Sequence, residues 1–263
     1  MIIAYYKYHG TANDFILIDD RKRIFPREDQ EYIAGLCTRR FGIGADGLML
    51  IDQVADYDFD MIYYNSDGSL SSFCGNGSRC ITHLAHRLGI IGETCTFRAS
   101  DGDHQGRISG DQVMVKMRDV SDILQASDGA SIIDTGSPHL ILIVSDLDDD
   151  GLMDRARDIR YSEAYKSEGI NVNFVKHSPH AIEMRTYERG VEAETYSCGT
   201  GVTAAALHWA ELYPEAKEVL VHTRGGDLQV QWSRSSDGYE DIWLIGPATP
   251  VSYGHVHYRG SVA

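Results

Sequence analysis

The residues Cys74-Gly75-Asn76-Gly77 stand between a strand-like segment and a helix-like run. About 120 residues later the chain repeats the arrangement as Cys198-Gly199-Thr200-Gly201. β-forming segments precede each copy, and a helical run followed by more β segments comes after it. Strands, cysteine turn, helix, strands in each half amounts to an internal duplication. That constrains the architecture before any single residue does. No low-complexity linker parts the halves, so they are expected to pack closely.

Local patterns fill in the halves. Residues 1–8 and 15–20 read as strands interrupted by "HGTANDF". Residues 28–39 carry Ile33, Leu36 and Cys37 at helical spacing. "LMLIDQV" and "DFDMIYYN" read as strands, "SDGS" as a turn, and a helix is expected from about Asn76 to Leu88. Three short β pieces follow. The second half, from about residue 120, offers strands on both sides of Gly136-Ser137-Pro138-His139 and a polar helix over "LMDRARDIRYSEAY". The strands "GINVNFVKH" and "AIEMRTYERG" come next, then a helix over 199–212 and closing antiparallel β segments.

Composition excludes more than it selects. A formal net charge of -15 argues against a nucleic-acid partner, because binding phosphates needs Lys and Arg to displace counterions. The N-terminus lacks a signal-peptide pattern and no stretch of about 18 apolar residues occurs, so no membrane partner is expected. Five cysteines in 263 residues read as thiols of a reducing, cytoplasmic compartment, not as a disulfide framework. In that setting the triplet Asn76-Gly77-Ser78 carries no glycosylation meaning.

Most cysteines in such a chain are small buried hydrophobes, which suits Cys37, Cys80 and Cys95. Cys74 and Cys198 differ, since each stands at a helix start. The helix dipole draws a thiol there toward ionisation, and the glycines leave backbone N–H groups open to an anion. A zinc site is not expected, because the nearest pair, Cys74 and Cys80, lacks close ligand spacing. No C-x-x-C supports thioredoxin-like chemistry, and a Cys-His acyl-transfer nucleophile explains only one of the two thiols. "GIGADG" at 42–47 fits a dinucleotide motif, but a helix precedes it and a strand follows, the reverse of the binding context. It reads as a flexible loop near a site.

Two opposed thiols suit inversion of a stereocentre beside a carboxylate. One base removes the α-proton and an acid delivers a proton to the other face. Backbone N–H groups at two helix starts hold the carboxylate as charge builds on it. Sulfurs within about 3.5 Å of one carbon stand roughly 7 Å apart, and no organic cofactor is required.

The motifs "HGTANDF", "CGNGSRC", "GINVNF" and "YERGVEAETYSCGTG" together resemble the diaminopimelate epimerase family of pyridoxal-phosphate-independent racemases, over essentially the whole chain. The resemblance implies interconversion of L,L- and meso-2,6-diaminopimelate for lysine and peptidoglycan precursors. It implies Cys74 and Cys198 as the acid–base pair, with Gly75, Asn76, Gly199 and Thr200 around the reacting carboxylate and Asn13 lining the site. Asn65, Asn171, Glu188 and Arg189 would hold the distal amino-acid head, whose ammonium and carboxylate want such groups. His139 and Glu188 would lie close to the thiols and tune them. Many family members have Asn at position 137 and Gln at position 47, where this chain has Ser137 and Gly47; the shorter serine is expected to act through water.

The expected fold is therefore α+β. Two similar pseudo-symmetric lobes, 1–119 and 120–250, each wrap a sheet around a central helix, with the active site in the cleft between them. The C-terminal strand near 251–263 is expected to rejoin the first lobe, as in the family. The partner is the small-molecule substrate, with the oligomeric state left open, a homodimer included. Two other hypotheses stand beside epimerisation. One is a sibling proline or hydroxyproline racemase, which would not need the Asn65/Asn171/Glu188/Arg189 set. The other is a catalytically silent binding or redox-sensing protein, whose thiols would pair only if their Cα atoms come within about 7 Å.

Overall fold

The computed structural model of the chain describes residues 1–126, 129–258 and 260. In chain order the elements are β1 (Ile2–Gly10), β2 (Asn13–Asp19), α1 (Gln30–Cys37), β3 (Gly47–Asp52), β4 (Phe59–Asn65), β5 (Leu70–Ser71), α2 (Gly75–Arg87), β6 (Thr94–Ala99), β7 (Gly102–Ser109) and β8 (Gln112–Lys116). The chain continues through β9 (Ile123–Gln125), β10 (Ser131–Asp134), β11 (Pro138–Ile143), α3 (Leu152–Arg160), β12 (Asn171–His177), β13 (Ala181–Glu188), β14 (Ala193–Thr195) and α4 (Gly199–Leu212). It ends with β15 (Glu218–Thr223), β16 (Gly226–Ser235), β17 (Gly238–Pro247) and β18 (Thr249–His257). Two compact units result: Met1–Val115 together with the segment from Pro247 onward, and Lys116–Gly246. Residues 261–263 of the C-terminal segment lie outside the described residues.

In the first unit β18, β1 and β2 pair antiparallel in turn, β2 pairs β3 in parallel and β3 pairs β4 antiparallel. β4 then takes β5 antiparallel and β6 parallel, and β6, β7 and β8 complete an antiparallel run. The second unit repeats this step for step. β9, β10 and β11 are antiparallel, β11 and β12 parallel, and β12 and β13 antiparallel. β13 takes β14 antiparallel and β15 parallel, and β15, β16 and β17 finish antiparallel. The parallel pairings make each sheet mixed.

Side-chain alternation sets what each face meets. In the first unit Phe15 and Leu17 join Met49, Ile51, Ile81 and Leu84 on the α2 side. Ile16 and Ile18 join Ile33, Leu36, Leu48 and Leu50 on the α1 side. β3 is buried along its whole length because helices cover both faces. Burying each such side chain contributes about 1.5–3 kcal/mol. α2 and α4 are the central helices, with ten of 13 and eleven of 14 residues buried. Ala204, Ala205 and Ala206 give α4 strong helix propensity and little bulk, so strands approach it closely.

Helix limits are tighter than the sequence suggests. α1 starts at Gln30, where the Asp29 side chain accepts a bond from the Tyr32 N–H. α3 stops at Arg160, because Ser162 and Tyr165 close tight turns onto Ile159 and Ser162. The short strands β9 and β14 were not expected. The "GIGADG" segment is a loop, but a pinned one: Gly44 and Ala45 bond back to Leu36 and Cys37, and the Lys7 ammonium bonds the Gly44 carbonyl.

Candidate functional site

Cys74 and Cys198 are the N-cap residues of α2 and α4 in nearly the same extended conformation, φ -138° and ψ 113° against φ -124° and ψ 112°. Neither sulfur caps its own helix, so neither is diverted from chemistry by that role. The first helical bonds run from Ser78 N–H to the Cys74 carbonyl and from Val202 N–H to the Cys198 carbonyl. The ladder offers no carbonyl to the N–H groups ahead of them, and no acidic residue stands in either first turn. Each turn is thus ready for a carboxylate. None of the five cysteines forms a disulfide. Burial pushes Cys37 up to about 11 and Cys80 and Cys95 up to about 12, so these three stay protonated at neutral pH.

In the first unit the turn between β1 and β2 brings Asn13 to Cys74. Thr11 and Ala12 form this two-residue connection with φ of 48° and 68°. A β-branched residue is strained there, the kind of strain that gathers at functional sites. The Cys74 sulfur lies 3.7 Å from Asn13 Oδ1, its hydrogen-bond acceptor. Asn13 Nδ2 donates to Asp46 at 2.8 Å, and Arg39 bridges Asp46 to Asp14. Asn76 Nδ2 donates to Asn13 Oδ1 at 3.3 Å. The buried Arg79 guanidinium donates to Asn76 Oδ1 at 3.0 Å and to the Thr11 hydroxyl at 3.2 Å, and it reaches the Gly75 and Pro247 carbonyls. Asn65 ends β4 opposite Gly47 and donates to Ser69. A Cβ at Gly47 would meet the Tyr63 ring at 2.6 Å, so that ring fills the volume a longer side chain would need.

In the second unit His139 is fully buried beneath Cys198. Its Nε2 is 2.9 Å from the Thr200 hydroxyl, which is 3.4 Å from the Cys198 sulfur. His139 therefore meets the thiol through Thr200. Burial pushes the imidazole down to about 3, with the Arg189 charge adding to the effect, so it is neutral at neutral pH. Asn173 Nδ2 lies 3.1 Å from His139 Nδ1, and the Thr186 hydroxyl donates to Asn173 Oδ1 at 2.9 Å. Thr135 fixes the first turn of α4 by donating to the Thr200 carbonyl at 2.8 Å.

Asn171, Ser137 and Arg189 form a second cluster in that unit. Asn171 donates to the Ser137 hydroxyl at 2.8 Å and accepts from the Arg189 N–H at 2.9 Å. The Arg189 guanidinium bonds the same hydroxyl at 3.1 Å and the Glu168 carbonyl at 2.9 Å. Ser137 thus contacts both of these side chains directly. Glu188 is the last residue of β13, beside Arg189.

The second glycine of each turn has a packing role that the sequence did not reveal. A Cβ at Gly77 would stand 1.9 Å from the Met49 methyl, and one at Gly201 would stand 2.7 Å from Asn173 Oδ1. Arg79, Asp46, Thr135, Asn173 and Thr186 also escaped sequence reading. Among the described residues no group of three His, Cys, Asp or Glu could hold a metal ion, and no helix is long and apolar enough to cross a membrane.

A family model described as diaminopimelate epimerase matches residues 5–121 and 131–250. The diaminopimelate epimerase of Flavobacterium psychrophilum is 43% identical over 246 residues, covering 92% of this chain and 96% of that protein. That of Chlorobaculum tepidum is 38% identical, covering 96% of this chain and 98% of that protein. Among solved structures, a PhzF-family phenazine biosynthesis protein from Bacillus anthracis shares the fold with a TM-score of 0.78 at 13% identity, covering 98% of this chain and all of that one.

Proposed function

The chain belongs to the diaminopimelate epimerase family, and from that premise we propose that Cys74 and Cys198 are the acid–base pair that inverts one α-carbon of 2,6-diaminopimelate. The reaction interconverts the L,L and meso forms, a step toward lysine and peptidoglycan precursors. A biosynthetic enzyme for such a small molecule belongs in the cytoplasm.

One sulfur enters the cycle as thiolate and the other as thiol. The thiolate takes the α-proton, and the C–H electron pair stays on the carbon, delocalised into the adjacent carboxylate. The thiol then gives its proton to the opposite face of that carbon. The configuration is inverted, the two sulfurs have exchanged protonation states, and no other reactant is consumed. Gly75, Asn76, Gly199 and Thr200 surround the carboxylate, whose growing charge the helix N-termini stabilise. Losing one such preorganised donor costs on the order of 10²–10³ in rate. Asn13 lines the site beside Cys74. Asn65, Asn171, Glu188 and Arg189, with Ser137 tied to two of them, hold the distal head. His139 supports Cys198 through Thr200, and Glu188 supports the thiols.

The observation that carries this reading is the matched pair of cysteine N-caps, at equivalent points of a repeated topology and in the same backbone conformation. Incubation with L,L-diaminopimelate in deuterium oxide tests it. Meso product with one deuterium at the inverted α-carbon is expected, and replacing either cysteine by alanine should abolish turnover. Full turnover in either variant refutes the two-base scheme.

A further inference from the structure

The repeated topology allows position-by-position comparison of what lies beneath each cysteine turn. In the first unit Phe15 faces Gly47 across the parallel pairing, with Met49 two residues on, and Met49 pairs with Tyr63. In the second, His139 faces Asn171, with Asn173 two residues on, and Asn173 pairs with Thr186. The trio Phe15, Met49 and Tyr63 thus occupies the places of His139, Asn173 and Thr186. The helix glycine above confirms the match, since a Cβ at Gly77 would meet Met49 and Phe15 and one at Gly201 would meet Asn173 and His139. One half-site rests on an apolar floor and the other on a hydrogen-bonded one.

The polar floor has a direction. Asn173 Nδ2 also donates to the Leu140 carbonyl at 3.2 Å, and a carbonyl only accepts, so the amide orientation is fixed. Its N–H therefore points at His139 Nδ1, which must accept. The neutral ring then carries its proton on Nε2 and donates it to the Thr200 hydroxyl. With that oxygen accepting from His139, the Thr200 hydrogen is free to point toward the Cys198 sulfur.

The other half-site is polarised the opposite way. The Asp46 carboxylate only accepts, so Asn13 presents Nδ2 to it and Oδ1 to Cys74. Arg79 only donates, so Asn76 presents Oδ1 to it and Nδ2 to Asn13. Both amides are thereby fixed, and Cys74 faces an acceptor.

We infer that, before substrate binds, Cys198 is the thiolate, receiving the Thr200 hydroxyl, and Cys74 is the thiol, donating to Asn13, with His139 and Asn173 as positioning residues that impose the asymmetry. A hydrogen bond to the charged form favours that form. The Arg79 charge opposes this assignment, and Glu188, which supports the thiols on the reading above, also acts on their titration. Arg79 is a buried cation one turn from Cys74, and its charge favours ionising that sulfur. It assists Cys74 when turnover makes it the thiolate.

The inference rests on the two-thiol reading above, and ultraviolet absorbance of the thiolate without substrate tests it separately. The other three cysteines are silent at neutral pH. Cys74→Ala should keep the neutral-pH thiolate signal and Cys198→Ala should lose it, each checked as folded by circular dichroism. Thr200→Val should raise the thiolate midpoint by about 1–2 pH units, and Thr200→Ser should restore it. On the unaltered chain, trace alkylation read by mass spectrometry should mark Cys198 before Cys74, although Cys198 is the more buried of the two. A signal that follows Cys74, is shared equally, or ignores Thr200→Val overturns the assignment. If α-deuterium exchange persists in that case, the epimerase reading stands and only the resting proton distribution is wrong.

Discussion

Gly77→Ala and Gly201→Ala place the same methyl at equivalent positions of α2 and α4, over floors of different chemistry. In Gly201→Ala the new Cβ would stand 2.7 Å from Asn173 Oδ1, 3.2 Å from His139 Cε1 and 3.3 Å from His139 Nδ1. Asn173 is held by Thr186, Leu140 and His139 together, so it yields only by loosening those bonds. Overpacking of this kind costs about 1–3 kcal/mol, while replacing a helical glycine by alanine returns roughly 0.8–1 kcal/mol. The net loss of stability is therefore about 0–2 kcal/mol. The rate should fall further than that suggests, because the shift moves the chain that orients Thr200 against Cys198; displacements near 1 Å cost about 10²-fold. In Gly77→Ala the Cβ would meet the Met49 methyl at 1.9 Å and sulfur at 2.8 Å. That is the end of a flexible side chain in an apolar core, so after the same helix-propensity return the cost is about 0–2 kcal/mol and appears as stability. Folded Gly77→Ala should keep turnover within a few-fold of the parent. Denaturant unfolding and initial epimerisation rates, measured on both variants, decide the matter. Equal rate losses, or a larger loss for Gly77→Ala than for Gly201→Ala, would refute the claim that the polar floor serves catalysis.

Two further outcomes follow from buried charge. Arg79→Met would leave the Thr11, Asn76, Gly75 and Pro247 oxygens without their shared donor, and should lower unfolding free energy by on the order of 2–4 kcal/mol in denaturant titration. An unchanged midpoint would show that this cation holds nothing together. His139, ordinarily near 6.5, is pushed down to about 3 by burial, so between those values the unfolded chain binds a proton that the folded one does not. Stability from this group is intact above about pH 6.5 and should decline as pH falls toward 3. His139→Gln should flatten that part of the pH–stability curve, and an unaltered slope would show that the imidazole is not the group responsible.

Some of this was legible in the sequence, and the reasons are local. The helices at Gly75 and Gly199 announce themselves through glycine after an extended residue, followed by apolar periodicity. The strands beside them are long and buried, so their composition is β-branched and apolar. β9 and β14 are three residues each with no buried position, which leaves no alternation to detect. Asn173 and Thr186 were hidden for another reason. A single polar residue in a strand says nothing about which way it faces, or whether a partner waits on the next strand. Arg79 reads as an ordinary helix-surface cation, and only the fold shows that the helix has no surface on that side.

The duplication also limits how unequal the half-sites can become. On the two-thiol reading each sulfur serves as both acid and base, because every turnover would swap their protonation states and the reverse reaction would use them in the other order. An enzyme cannot alter the equilibrium between the two stereoisomers, so a bias in resting protonation acts only on which isomer meets a ready base. A bias of many pH units would strand the enzyme in one state after each turnover, waiting for protons to redistribute. A bias of one or two units, set by the Thr200 hydroxyl at Cys198 and offset by Arg79 near Cys74, keeps both states within reach. Among the described residues the buried Arg79 guanidinium bonds neutral oxygens and no carboxylate, so its positive charge also acts near Cys74. As the counterweight that lets Cys74 take its turn as thiolate, it has a function, and Arg79→Lys should lower kcat/KM, measured from either isomer, by the same factor, as the fixed equilibrium requires.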